Sequence, residues 1–322
     1  HWNPEHHFDI IPPPLKTGFL HMWFRNLQIY RLSEPFAMKS EDLHDALQEK
    51  TFSPCSGLDT HRIGWTTPLG KFSDQLVHAT NGRLMICMRR EDRLLPASVV
   101  REAVEEKAEA IEVAESRKVG RKEKSQIKEE VTVDLLPRAF TRSQLFFAYI
   151  DVQNDWVIVD AATANKAEEI LGLLRESLGS LRVKPLQVNQ APTSCMTDWI
   201  VNDAPVDFEV SDECELKEPV EKGGVIRIRG VDLASDEVQQ HVKSGKQVSK
   251  LAFEWQQRLS CVLSEDLSVK RLKFLDLVLD ELSDTDSDDA NARFDADFSL
   301  MSLELSRFIP ALCKELGGVN PD

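Results

Sequence analysis

Apolar and polar side chains alternate along parts of the last third of the chain, which is the spacing of β-strands. Two such segments, 251–263 and 269–275, predict a long hairpin. In the first segment the odd-numbered positions are nearly all apolar, whereas the even-numbered positions include Gln256 and Arg258, with Lys250 just before them. Because successive side chains of a strand point to opposite faces, the pattern predicts a core face and a solvated face.

Basic side chains occupy the solvated face of three predicted strands. In the segment VIRIR, Arg227 and Arg229 alternate with isoleucines, and Arg271 and Lys273 alternate with apolar residues in the second strand of the hairpin. Lys250 and Arg258, at even-numbered positions of the first hairpin strand, are predicted to lie on the same face. The pattern therefore predicts a cationic face on a sheet whose reverse face is buried.

Shorter patterned segments lie earlier in the chain. Aromatic and β-branched residues predict a strand over residues 23–32 and another strand after Gly82. Between these strands, Ser40 is predicted to cap a short helix. The segments SQLFFAYID and WVIVDA then predict two strands, followed by an amphipathic helix over residues 164–178 that ends at Gly179. This order is compatible with an antiparallel sheet covered on one face.

Residues 98–135 have a different character, because they contain no aromatic residue and their apolar side chains recur at helical spacing. They predict a long, charged helical arm, broken or kinked near Gly120. A basic cluster occupies the second half of the arm and the turn after it, with Arg117, Lys118, Arg121, Lys122, Lys124, Lys128, Arg138 and Arg142. Two interpretations stay open: the cluster contacts phosphates, or it is a solvated helix face whose charge is offset by nearby glutamates.

Together these elements predict an α+β fold with several lobes and antiparallel sheets. The 322 residues suffice for two or three hydrophobic cores. The predicted divisions are 1–21 as a tag or upstream extension, 22–95 as an N-terminal α+β lobe, 96–142 as the charged helical arm, 143–190 as a strand–strand–helix lobe, 191–224 as an acidic linker region and 225–322 as a C-terminal α+β lobe with the long hairpin.

The net charge of −15 by itself argues against a nucleic-acid partner. The charges are segregated along the chain, however, so the basic segments can still contact phosphate. No helix-turn-helix, zinc-finger or basic-zipper pattern occurs, which predicts contacts to the DNA backbone and steep salt dependence. Aromatic residues are sparse in the basic segments, which favours duplex over single-stranded DNA.

Compartment and chemistry are restricted by what the sequence lacks. It contains no run of about eighteen apolar residues and no signal-peptide pattern, so we expect a cytoplasmic protein without a membrane partner. The six cysteines form no CxxC pair, which predicts free thiols, no metal and no cofactor. The patterns GxSxG, GxxxxGK[ST], GxGxxG and HExxH are also missing, so no catalytic residues are assigned.

Aspartates near the C-terminus raise the question of a metal site. Asp284, Asp286, Asp288 and Asp295 are spaced as in a calcium loop, but Asp289 stands where the loop needs glycine, and Asp295 stands where a bidentate glutamate is usual. A solvated acidic loop is therefore the preferred interpretation.

Several segments in a fixed order resemble the RdgC family of proteobacterial recombination-associated proteins. They are WFRNLQIYRL, LLPRAF, LLRESLGSL, KLAFEWQQRL, KRLKF and RFDADF, and the resemblance spans residues 22–318. It implies an α+β protomer that forms a ring-shaped dimer with a positively charged hole for duplex DNA. It also implies nucleoid association, little sequence preference and restraint of RecA-mediated strand exchange.

The resemblance also assigns candidate residues. The LPRAF turn matches residues 136–140, and Phe140 is expected at a dimer contact; packing of Phe140 in its own core is the alternative.

Two other functions stay open, a metal-dependent nuclease using Asp295 and Asp297, and a protein that acts on recombinase with little DNA contact. The candidate phosphate contacts are the eight basic residues of the arm and turn together with Arg227, Arg229, Lys250, Arg258, Arg271 and Lys273.

Overall fold

The computed structural model describes residues 23–283 and 289–321, apart from the side chains of residues 282 and 283. Its strands form two antiparallel sheets. The first sheet contains β1 (Gln28–Leu32), β2 (His61–Thr66), β3 (Val77–Thr80), β4 (Arg83–Leu94), β5 (Phe140–Asp151), β6 (Trp156–Val159) and β7 (Val183–Pro185). The second contains β8 (Phe208–Lys217), β9 (Val225–Arg229), β10 (Gln247–Trp255), β11 (Leu259–Ser264) and β12 (Val269–Phe274).

Eight α-helices accompany these sheets within the described residues. They are α1 (Ser40–Gln48), α2 (Ala97–Glu115), α3 (Arg121–Leu135), α4 (Ala164–Leu178), α5 (Pro192–Val201), α6 (Asp236–Lys243), α7 (Asp276–Ser283) and α8 (Ala290–Glu315). None of them is long and apolar enough to cross a membrane. The mixed α and β composition with antiparallel sheets agrees with the predicted fold class.

The first sheet has the strand order β2-β4-β5-β6-β1-β7, with β3 also paired to β4. One face packs on α1 and α4, where Leu43 and Leu47 of α1 are fully buried at a spacing of one helical turn. Gly179 adopts the left-handed conformation directly after α4, as the sequence predicted. The N-terminal strand is shorter than predicted and begins at Gln28. Ser40 is the first helical residue and not the cap, because Lys39 occupies that position.

The second sheet has the order β12-β11-β10-β8-β9 and packs one face on α5 and α8. The predicted strand over residues 251–263 is in fact two strands, because Gln256 and Gln257 are both left-handed, with φ of 48° and 55°, and reverse the chain. The core face was nevertheless predicted correctly. Trp255 pairs with Leu259, so odd-numbered residues of both strands share the buried face.

Residues 98–135 form two helices that fold back on each other. Ser116 is left-handed after α2, and Gly120 precedes α3, so the break lies near the predicted position. The pair has a small core of its own, which includes Val104, Ala108 and Ile127. A continuous arm is excluded because the chain reverses at this break.

Residues 191–224, expected to be a linker, instead contribute regular structure. Pro192 begins α5, and β8 occupies an interior position of the second sheet. The acidic side chains alternate with Cys214 and Leu216, which are buried, so the segment is a strand with one charged face.

Candidate nucleic-acid interface

The face of the second sheet that faces away from α5 and α8 carries most of its charged side chains. Strand alternation places the apolar residues of β8, β9 and β10 on the reverse, where Phe253 and Trp255 contact the aromatic rings of α5 and α8. We call the opposite side the charged face. Its basic residues are Lys217, Arg227, Arg229, Lys250, Lys270, Arg271 and Lys273.

Two glutamates of β8 hold four of these cations. The Glu215 carboxylate lies 2.9 Å from Nε of Arg227 and 2.9 Å from Nζ of Lys250. The Glu213 carboxylate lies 3.1 Å from Nε of Arg229 and 2.7 Å from Nη2 of Arg271. Each acid is therefore bracketed by two bases, and the cluster keeps an excess of two positive charges.

The pKa of Glu215 is determined by the bases on either side of it. Burial on its own would raise the pKa of the carboxyl group, but hydrogen bonds from Lys250, Arg227 and Ser249 outweigh burial and lower the pKa to about 2. The pKa of Glu213 is lowered in the same way by Arg271 and Arg229, again against the effect of burial. Both glutamates are therefore charged at neutral pH and compete with any phosphate for these cations.

The remaining cations of the charged face are less restrained. Lys217 pairs with Glu265 at 3.1 Å. Lys270 and Lys273 of β12 form no ion pair with any described residue, and Lys273 is exposed. They are the cations of this face that are most available to an anion.

Arg258 lies at the end of the turn between β10 and β11, and its guanidinium group reaches α8 instead of the charged face. Nε donates to Glu304 at 2.6 Å, and Nη2 donates to Glu281 at 2.6 Å. Glu304 is fully buried. The hydrogen bonds that Arg258 donates to both carboxylates raise its pKa against the opposing effect of burial. This cation thus joins the turn to two helices.

The basic cluster of the helix pair falls into a paired and an unpaired part. Arg117 donates to Glu123 and Glu115 at 2.7 and 2.6 Å. Lys118 is 95% exposed and lies 3.8 Å from Glu112. The other four cations, all exposed and on α3, form no ion pair with any described residue: Arg121, Lys122, Lys124 and Lys128. We call these four the α3 cluster.

The α3 cluster begins at the N-terminus of its helix. There the free backbone N–H groups and the helix dipole already carry partial positive charge, so Arg121 and Lys122 add cations where a helix prefers acids. Such an arrangement lowers helix stability and favours anion binding. Arg138 and Arg142, which follow the helix pair, are also exposed and form no ion pair with any described residue.

Phe140 begins β5 and is 80% exposed, which contradicts packing in its own core. The strand pairs with β4 over its whole length, whereas β6 covers only Ala148–Asp151 on the other side. Residues 140–146 therefore present a free sheet edge. Leu94, which pairs with Phe140 from β4, is 44% exposed, and Leu145 on the opposite face of β5 is 47% exposed, whereas residues 141–144 between Phe140 and Leu145 are polar or charged.

The two aspartates of the nuclease alternative do not form a site together. Asp295 accepts from His78 at 2.9 Å and is half exposed, whereas Asp297 is 3% exposed. Residues two apart on a helix point to different sides. No group of three or more His, Cys, Asp or Glu side chains in the described parts of the chain could hold a metal ion. Asp284, Asp286 and Asp288 lie outside the described residues.

Sequence reasoning identified the cations and missed the acids between them. Glu213 and Glu215 alternate with apolar residues in the segment ECEL, which is the signal that could have placed them on a strand face. It could not have placed them beside Arg229 and Arg227, because that depends on the register between β8 and β9.

Comparisons with known proteins give a consistent family assignment. A family model described as "RdgC: Putative exonuclease, RdgC" matches residues 22–319. The chain is 45% identical over 298 residues to the Recombination-associated protein RdgC of Aeromonas hydrophila, covering 92% of this chain and 98% of that protein. It is 44% identical, with the same coverage, to the proteins of that name from Yersinia pestis and Yersinia pseudotuberculosis.

Proposed function

The chain belongs to the RdgC family, and we propose that it is a recombination-associated protein that binds duplex DNA without reading its sequence and without catalysis. The observation that carries this proposal is the α3 cluster, four exposed cations that form no ion pair with a described carboxylate. Such cations release counterions from DNA when they replace them at the phosphates. They lie on a helix that has no base-reading motif, so the contacts are to the backbone.

The charged face of the second sheet supplies a second group of phosphate contacts. Lys270 and Lys273 contact the backbone directly. Arg227 and Arg229 are more than 70% exposed even while paired with glutamates, so they reach solvent and a nearby phosphate. Their net contribution is smaller than that of the α3 cluster, because each phosphate contact competes with Glu215 or Glu213.

We propose that the protein acts as a ring-shaped homodimer that encircles the duplex. Phe140 supports one contact of this ring, since a large exposed aromatic side chain is a typical anchor of an isologous interface. The free edge of β5 adds backbone groups that a second copy can pair. A ring with basic residues inside and acidic residues outside reconciles the net charge of −15 with a polyanionic ligand.

Occupation of the duplex by such a ring restrains RecA-mediated recombination, because the recombinase and the ring compete for the same DNA. A ring of this kind is also expected to associate with the nucleoid. The nuclease alternative receives no support from Asp295 and Asp297, since Asp297 is buried. The alternative of a recombinase-binding protein differs in requiring no DNA affinity.

Duplex binding across a salt series tests the proposal, with a linear fragment compared to a closed circle of the same sequence. We expect affinity to fall steeply with salt. We also expect the circle to retain protein after a salt wash that strips the linear fragment, because a ring cannot slide off a circle. Weak, salt-insensitive binding contradicts the DNA proposal, and equal loss from both substrates contradicts encirclement. Plasmid incubated with Mg²⁺ should remain uncut.

A further inference from the structure

A vacant strand position lies beside β8, beyond the end of β9. The β9 strand pairs with β8 only over residues 213–217. Gly230 then donates to the Asp212 carbonyl and, with φ of 69°, turns the chain away. Residues 208–210 of β8 consequently pair with β10 on one side and with no described strand on the other, and residues 211–213 form an irregularity in the ladder to β10.

Backbone groups of β8 face this vacant position. The Gln256 N–H donates to the Asp207 carbonyl at 2.9 Å, which marks Asp207 as a residue whose groups point to β10. In an antiparallel ladder the residues that bond to one neighbour alternate. Glu209 therefore also points to β10, and Val210 presents its N–H and C=O to the other side, where no described strand pairs with it.

A cavity of about 510 Å³ occupies the vacant position. We call it the β8 groove. Its floor is apolar, formed by Trp199 and Ile200 of α5, Phe208 of β8 and Leu233 from the connection to α6. The rings of Trp199 and Phe208 lie 5.2 Å apart between centroids and give the floor a fixed shape.

The lining of the β8 groove also carries four acidic residues, Asp203, Glu209, Asp212 and Asp232. None of the four forms an ion pair with a cation in the described parts of the chain. Their uncompensated charge repels phosphate, so the groove is not a DNA site. Their arrangement does not gather into a metal-binding group either. A ligand that is both cationic and able to fill an apolar floor fits the combination.

We propose that the β8 groove binds an extended, basic segment of another protein, which pairs with residues 208–212 as an added strand. Strand addition supplies partners for the free groups of Val210, and alternation of side chains would direct one apolar residue to the floor and its basic neighbours toward the acidic residues. Five residues of strand span about 16 Å, so a short segment suffices. None of the proposed DNA contacts lines this groove.

A labelled peptide, acetyl-Lys-Val-Lys-Leu-Lys-Val-Lys-amide, tests the proposal with the full chain. We expect saturable binding by fluorescence anisotropy and slower amide hydrogen exchange in the segment that contains residues 208–212. A matched peptide with glutamate in place of lysine should not bind. A peptide with proline in place of leucine lacks the central N–H and should bind at least fivefold more weakly. Equal binding of the proline peptide contradicts strand addition.

Variants of the protein locate the site. Asp203→Asn combined with Asp232→Asn should weaken peptide binding at least fivefold, whereas Glu237→Gln, an exposed acid on α6 outside the groove, should change nothing. Unchanged binding by the double variant overturns the proposal. So does protection of residues 208–212 that appears without peptide and rises with protein concentration, because the occupant is then a second copy. Duplex binding by the same variant should be undiminished, so failure here leaves the DNA proposal standing.

Discussion

Glu213 and Arg271 form an ion pair of 2.7 Å although two strands, β11 and β10, lie between their own. Three strand spacings amount to about 14 Å in a flat sheet, so both side chains must extend toward each other across the charged face. Beneath them Ala252 and Val262 are 9% and 7% exposed despite lying on this open side. The charged face is therefore a packed surface of salt bridges over small apolar residues.

A count of basic residues does not distinguish two properties of a cation: whether its side chain is held in place, and whether a nearby acid offsets its charge. The cations around Glu213 and Glu215 are held in place, which reduces the entropy they lose on binding phosphate, but part of their charge is neutralised. The cations of the α3 cluster form no ion pair with any described residue, so they are not held in place. DNA affinity is therefore expected to depend more on α3, and to increase when the glutamates are removed.

Glu215→Gln should tighten duplex binding and make its salt dependence steeper. The substitution frees Arg227 and Lys250 from a competing carboxylate, so a phosphate replaces more counterions at this face. Affinity measured by fluorescence anisotropy between low and moderate salt checks this. Glu254→Gln, on the same face but without an ion pair to any described residue, is the control and should have a smaller effect. Weaker binding by Glu215→Gln would mean that the carboxylate mainly positions the cations.

The same carboxylate should contribute to acid unfolding. Its pKa in the folded protein, about 2, is below the ordinary value of 4.5, so its stabilisation is complete above about pH 4.5 and is lost as pH falls toward 2. Glu215→Gln should therefore lower the free energy of unfolding by about 1–3 kcal/mol at pH 7, and the difference from the unsubstituted protein should shrink below pH 4. Urea unfolding at several pH values measures it, and a difference independent of pH contradicts the assignment.

Arg258 is expected to stabilise the fold more than it holds DNA. Arg258→Gln leaves the fully buried Glu304 without its main partner and should lower the free energy of unfolding by about 3 kcal/mol. Arg227→Gln breaks a pair whose arginine is 74% exposed and should cost less than about 1 kcal/mol. Chemical denaturation of both variants gives the comparison, and equal losses would show that the Glu304 pair is not special.

The sequence predicted the faces of the second sheet better than its strands. Odd-numbered residues stay on the core face through the turn because Trp255 pairs with Leu259, which preserves parity. The turn itself was missed because Gln256 and Gln257 adopt left-handed conformations that usually favour Gly, Asn or Asp. Local composition did not signal it.

Contacts between distant segments limited the prediction of the site. Asp295 was considered a metal ligand because its neighbours in sequence are acidic. Its actual partner, His78, lies 217 residues away on β3. In the same way, the salt bridges of Arg258 and Arg271 depend on which elements pack together. Residue type and alternation identified the candidate cations, but only the packing distinguishes a neutralised cation from a free one.

Phe140→Ala should weaken dimer formation at least tenfold without unfolding the protomer. The side chain is 80% exposed, so its removal should change the free energy of unfolding by less than about 0.5 kcal/mol. Sedimentation velocity over a concentration series measures the dimer. Val113→Ala, which truncates a side chain that is 77% exposed on α2, is the matched control. An unchanged dimer would place the ring contact elsewhere.

The α3 cluster should provide the largest share of salt-dependent affinity. Replacing Lys122 and Lys124 together by alanine removes two cations that form no ion pair with a described carboxylate. Each lost phosphate contact reduces the slope of log affinity against log salt by about 0.9, so the double variant should lose about 1.8 for each protomer that contacts the DNA, or about 3.6 for the proposed dimer. Lys107→Ala is the control, because that lysine pairs with Glu130 at 2.7 Å on the same helix pair.

Stability provides a second readout for the same cluster. Lys122 lies in the first turn of α3, where positive charge opposes the helix dipole, so its replacement should raise the free energy of unfolding by about 0.3–1 kcal/mol. If the variant is more stable and yet binds DNA more weakly, the lysine contributes to DNA binding although it lowers the stability of the protein. If stability rises while the salt slope is unchanged, the α3 cluster is a solvated helix face, and the DNA contacts must come from the charged face and from cations such as Arg138 and Arg142.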